Sequence, residues 1–124
     1  MFNFFGSKKK VKPIEITSQN FNELVYNSDK PVVIDFYATW CQPCQVMISL
    51  MNRMSKEEDL QEKITLGVTD IDKNPELARH FGIKSVPTLI FIHNQKVYER
   101  QNGLLPYPIL KSKIEDFAMS VKNE

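Results

Sequence analysis

Five residues, Trp40-Cys41-Gln42-Pro43-Cys44, hold both cysteines of this 124-residue chain and set them two residues apart. If a helix begins here, the first sulfur faces unpaired backbone N–H groups and the positive end of the helix dipole, and the second lies within bonding reach one turn later. Such a pair can open and close a disulfide. Half of a zinc site, or two buried thiols that only pack, are the alternative uses. A structural zinc site takes about four sulfur or nitrogen ligands. The chain adds only His80 and His93, far apart and not in a paired H-x-x-x-H arrangement, and both are expected at the surface, away from the chemistry. Reversible redox chemistry is therefore the expected use.

The elements that must position these sulfurs can be read along the chain. Ile14 to Thr17 alternates as a first strand, and Ser18 is placed to cap a helix through about Tyr26 with Phe21, Leu24 and Val25 on its buried face. Asn27 to Pro31 supplies a turn. The run Val32-Val33-Ile34-Asp35-Phe36-Tyr37 reads as a strand buried on both faces, which belongs mid-sheet. Met47, Leu50, Met51 and Met54 mark the apolar face of a helix to about Lys56, a core stripe rather than a binding groove. Lys63 to Thr69 predicts another strand. Asn74-Pro75 predicts a helix start with proline in its first turn, running to about Gly82. Thr88–Ile92 and Lys96–Arg100 predict a hairpin across His93-Asn94-Gln95, ended by Gly103. Pro106 and Pro108 are tolerated in a first helical turn, and Leu110, Ile114, Phe117 and Val121 line a last helix. The sum is an α/β fold: a central mixed sheet of about five strands flanked on both faces by about four helices. Ligand sites in such sheets form beyond the carboxyl ends of the strands, and Cys41 follows directly on one.

Composition narrows the function. The length fits one domain over 13–124, preceded by a basic, flexible tail over 1–12 that holds Lys8, Lys9, Lys10 and Lys12. Beyond the tail, 12 basic residues face 15 acidic ones, a balance of −3. No basic patch interleaved with aromatics stands on the folded part, so no nucleic-acid partner is expected. No apolar run approaches the roughly 20 residues of a membrane span. The first residues put their lysines after a short apolar run, the reverse of a secretory signal, so a soluble, cytoplasmic protein is expected. In a reducing cytoplasm, two cysteines at this spacing argue for a working dithiol over a structural crosslink.

Three stretches resemble the thioredoxin family: Phe36-Tyr37-Ala38-Thr39-Trp40-Cys41-Gln42-Pro43-Cys44, Ile71-Asp72, and Phe81-Gly82-Ile83-Lys84-Ser85-Val86-Pro87-Thr88. The likeness spans about Ile14 to Val121. It implies a thioredoxin-like fold and a protein disulfide reductase in which Cys41 attacks and Cys44 resolves the mixed disulfide. It also implies a cis peptide before Pro87, turning the Val86 backbone toward the sulfurs to pair with an extended substrate. Trp40, Pro43, Gly103 and Leu104 then frame a shallow apolar docking surface. Asp35 interrupts an apolar strand. An unpaired buried carboxylate is costly, so burial is expected to raise its pKa and make it the proton acceptor for Cys44, the role the resemblance also implies. An edge aspartate facing water is the alternative.

The resemblance further implies protein disulfides as substrates, no bound cofactor, and electrons from an NADPH-dependent thioredoxin reductase; a monomer is expected. Four residues depart from the family's common pattern: Gln42 for glycine between the cysteines, Ser49 for a helix-kinking proline, Val68 for a lysine beside the buried acid, and Ser85 for a glycine near the groove. Two other readings stand beside the reductase. The same dithiol can serve an oxidase or isomerase in an oxidising compartment, and the groove near Pro87 can serve a binding module without turnover.

Overall fold

The computed structural model describes residues 12–122; the expected tail lies, apart from Lys12, outside them. In chain order the elements are β1 (Ile14–Glu15), α1 (Asn22–Tyr26), β2 (Val32–Tyr37), α2 (Gln42–Met54), α3 (Glu58–Lys63), β3 (Thr65–Asp70), α4 (Pro75–His80), β4 (Thr88–His93), β5 (Lys96–Asn102) and α5 (Tyr107–Lys122). The strands form one sheet in the order β1-β3-β2-β4-β5. β1, β3 and β2 run parallel, and β4 and β5 antiparallel to their neighbours. The apolar strand β2 is thus central, as its two buried faces require.

Alternation along β2 divides the core. Val32, Ile34 and Phe36 pack with Val25, Leu77 and Phe81 from α1, α4 and the residue after it. Val33 points the other way, into a layer of Met47, Met51 and Met54 from α2 and Leu110, Ile114 and Phe117 from α5. The methionine stripe is core, and no helix among the described residues is long and apolar enough to cross a membrane.

The first helix departs from expectation. Ser18 caps nothing: its N–H donates to Asn74 Oδ1 at 3.0 Å and its hydroxyl to Glu76 Oε1 at 3.0 Å. Thr17 and Asn20 instead exchange bonds, Thr17 N–H to Asn20 Oδ1 at 2.8 Å and Asn20 N–H to Thr17 Oγ1 at 3.2 Å. These side chains compete with helical pairing, and only the turn Asn22–Tyr26 remains, closed i to i+5 by Asn27 N–H on Asn22 O. β1 also ends early, because the Thr69 hydroxyl takes the Ile16 carbonyl at 2.9 Å. No periodicity predicts helix α3; Leu60 is its one buried residue, too little to make an apolar stripe. It delays β3 to Thr65. The hairpin turn is two residues, not three: Asn94 and Gln95 both have positive φ, 50° and 66°, as a type I′ turn needs.

Gly67 on β3 shows how closely β1 and β3 approach. A Cβ there would stand 2.6 Å from Ile16 Cγ1 and 3.3 Å from the Ile14 carbonyl oxygen. Gly67→Ala is expected to destabilise the fold by about 1–3 kcal/mol, the range for overpacking a filled core. Urea denaturation measures it, and an unchanged midpoint would show that β1 yields.

Candidate active site

Cys41 is the residue before the first turn of α2, with extended backbone at φ −93° and ψ 115°. Its N–H donates to Ala38 O at 3.2 Å, and its Sγ accepts from Cys44 N–H at 3.2 Å. A sulfur here takes the place of the oxygen of an N-capping side chain. Pro43 fits the first turn because its missing N–H has no helical partner to lose. The two sulfurs are joined as a disulfide, with Cα atoms 5.2 Å apart. Cys41 is 6 % exposed and Cys44 fully buried, so only the first sulfur meets a reactant from outside. On reduction its thiolate faces the N-terminal N–H groups of α2, which favours negative charge there.

Facing this helix start is the Val86–Pro87 peptide, which is cis. The Val86 carbonyl oxygen lies 3.7 Å from Cys41 Sγ, and Val86 packs beside Ala38, Cys41 and Cys44. Gly103, at φ +89°, donates its N–H to Pro87 O at 2.8 Å. That bond brings Gly103 and the exposed Leu104 beside the peptide. Pro43 is exposed, and Trp40 is 71 % exposed, its indole N–H donating to Asp72 Oδ2 at 3.0 Å.

Asp35 is fully buried, and among the described residues neither carboxylate oxygen has a hydrogen-bond partner. The edge aspartate facing water is excluded. Burial holds its carboxyl well above the usual carboxylate range. Alternation puts Asp35 on the same face of β2 as Val33, the face covered by the helix that carries Cys44. Nearby Tyr37 is pushed up to about 12, by burial first and then by Glu15 and Asp70.

A family model described as Thioredoxin matches residues 12–116. The chain belongs to the thioredoxin family. It is 42 % identical over 100 residues to "Thioredoxin Y2, chloroplastic" of Arabidopsis thaliana, covering 81 % of this chain and 59 % of that one. It is 33 % identical over 105 residues to a thioredoxin of Chlorobaculum thiosulfatiphilum, covering 85 % and 95 %. The solved structure of a mutant thioredoxin from Halobacterium salinarum superimposes with a TM-score of 0.75 at 29 % identity, covering 86 % and 91 %. The chain spans about six-tenths of the length of the chloroplastic relatives.

Within this thioredoxin fold the departures take definite places. Val68 stands opposite Asp35 in the β2–β3 register, so an apolar side chain replaces the lysine of the common pattern and brings the acid no charge. Ser49 is exposed on α2. Ser85 is exposed, and its carbonyl accepts from the Thr88 hydroxyl at 2.7 Å. Thr88 Oγ1 also lies 3.1 Å from Asn102 Oδ1, and its single proton serves one of these two acceptors at a time. Asp72 and Thr88 fall in stretches that resemble the family, but their contacts with Trp40 and Asn102 are seen only in the fold. The histidines lie away from the sulfurs. His80 is exposed, but the expectation of a surface His93 is wrong: it is buried at the far end of β4, with Nε2 3.2 Å from Asp29 O. Among the described residues no group of three or more His, Cys, Asp or Glu is placed to hold a metal ion.

Proposed function

We propose that this chain is a protein disulfide reductase of the thioredoxin type. The observation that carries the reading is the Cys41–Cys44 disulfide at a helix start, its outer sulfur beside the backbone of Val86. In the reduced protein the Cys41 thiolate attacks one sulfur of a substrate disulfide. A Cys41–substrate bond forms, the substrate S–S bond breaks, and one substrate thiolate leaves. Asp35 takes the proton of Cys44, directly or through water. The Cys44 thiolate then attacks Cys41 Sγ, forming the internal disulfide and expelling the second substrate thiolate. The substrate gains two electrons and the chain loses two.

An extended substrate pairs its backbone with Val86 against Pro87, and Trp40, Pro43, Gly103 and Leu104 cover its apolar side chains. Two electrons must return each cycle, and an NADPH-dependent thioredoxin reductase is the proposed donor; the chain itself needs no resident cofactor for thiol exchange. The reading extends to a monomer in the cytoplasm, maintaining redox balance where thiols are kept reduced. An oxidase of the same geometry would require a more oxidising potential, which equilibration with glutathione measures.

Cys44→Ser is expected to hold the substrate on Cys41 as a covalent adduct, seen by mass spectrometry as a gain of one reduced peptide less two hydrogens and lost on adding dithiothreitol. No adduct under conditions where the parent turns over would remove the mixed-disulfide route.

A further inference from the structure

We propose that Arg100 is a positioning residue for substrate, acting through the segment Phe81–Val86; this rests on the disulfide-exchange reading above. Arg100 lies on β5, opposite Ile90 in the β4–β5 register and outside the three stretches that resemble the family. Its guanidinium reaches back across the sheet to the residues that follow α4. Nη1 donates to Phe81 O at 2.7 Å, and Nη2 donates to Phe81 O at 2.5 Å and to Gly82 O at 3.3 Å.

The Phe81 ring is already fixed, with its centroid 5.7 Å from that of Phe21 and 5.6 Å from that of Phe36. Ring packing places the residue, and two backbone bonds, Gly82 N–H to Arg79 O at 3.0 Å and Ile83 N–H to Ala78 O at 2.9 Å, begin to set the direction in which the chain departs. Gly82, at φ +61°, is where that direction is set, since glycine turns freely there and no atom stands within 4 Å of where its Cβ would lie. By fastening the carbonyls on both sides of this turn, a planar, permanently charged fork fixes the path toward Val86. Cationic charge also suits carbonyls just past the end of a helix.

The other end of the segment is fastened separately. Gly103 N–H holds Pro87 O, and Thr88 holds Ser85 O. Residues 81–87 are therefore strung between two anchors, both supplied or backed by β5, with the substrate-facing Val86 near one and Arg100 at the other. Freeing the Arg100 end releases the carbonyls of Phe81 and Gly82 and loosens the approach to Val86, so that a peptide must order this segment as it pairs. That freedom costs a peptide entropy on binding, whereas a small disulfide that needs only the sulfurs loses nothing.

The test uses the reduced, full-length protein and two probes: a short peptide carrying a cystine link to a second copy of itself, and 2-hydroxyethyl disulfide. In Arg100→Gln the second-order rate with the peptide is expected to fall on the order of tenfold, through KM, with less than about twofold change on 2-hydroxyethyl disulfide. Arg100→Lys keeps one donor group and the charge, and is expected to lie between parent and Gln variant. An equal fall on both probes would show a merely structural role and overturn the proposal, as would no fall on either. Should Arg100→Gln not fold, the same ratio in Arg100→Lys decides: a selective loss on the peptide supports the proposal, and an unchanged ratio overturns it. If the unaltered protein reduced neither probe, the disulfide-exchange reading itself would fail, a result no variant can mimic.

Discussion

Cys41→Ser is expected to lower the rate of disulfide reduction on the order of 10⁴-fold or more, the scale on which removal of a single nucleophile acts in enzymes. A serine hydroxyl at this helix start is neutral at pH 7, and an oxygen nucleophile does not replace sulfur in disulfide exchange. Cys44 cannot substitute, because it is fully buried behind Cys41. The two cysteine variants therefore fail differently. Cys44→Ser keeps the first attack and stalls as an adduct, while Cys41→Ser forms no adduct at all. Single-turnover kinetics with a peptide disulfide, followed by mass spectrometry, separates the two. A Cys41→Ser protein that still reduced the peptide within about tenfold of the parent would place the chemistry elsewhere.

Asp35→Asn is expected to stabilise the protein while slowing it. The carboxyl is buried without a partner and is held above its ordinary range by that burial. The native state therefore keeps this proton to a higher pH than the unfolded chain does. Between the two pKa values unfolding releases a proton, so stability falls as pH rises, and above the native pKa the full cost of the buried charge is present. At pH low enough to protonate both states the group contributes no such penalty. Asparagine stays neutral throughout, so the gain should be near zero in acid and grow with pH, to about 1–3 kcal/mol where the parent is ionised. Urea denaturation of the oxidised protein across pH measures this directly. Release of substrate from the mixed disulfide should meanwhile slow on the order of 10²-fold, the contribution of one general base, and lose its dependence on this group. An Asn variant less stable than the parent at alkaline pH, or one that resolves as fast, would remove Asp35 from both roles. With Val68 rather than a lysine opposite, no neighbouring cation on β3 softens either effect.

Stability and catalysis thus pull on one residue in opposite directions. A carboxylate in the central strand is a poor choice for the fold. On the function proposed above, its place there is to move a proton to and from the buried Cys44 sulfur.

What the sequence determined by itself is whatever is encoded in neighbours along the chain. Two cysteines two apart after an apolar run, methionines at helical spacing, proline after Asn74 and the apolar face of the last helix all carry local periodicity or turn chemistry, and each forms the expected element. The burial of Asp35 is legible for the same reason, as one charge in a run with no polar face. Tertiary structure alone decided the rest. Ser18 reads as a cap, yet its bonds go to Asn74 and Glu76, more than 50 residues on. Leu60 is too solitary to announce a helix, and His93 too polar to announce burial. Trp40 with Asp72 and Arg100 with Phe81 meet only because the sheet order β1-β3-β2-β4-β5 returns separate segments to one end. Hydrogen bonds between side chains far apart in sequence leave no period to read, because their geometry exists only after burial elsewhere has offset the entropy of ordering the chain.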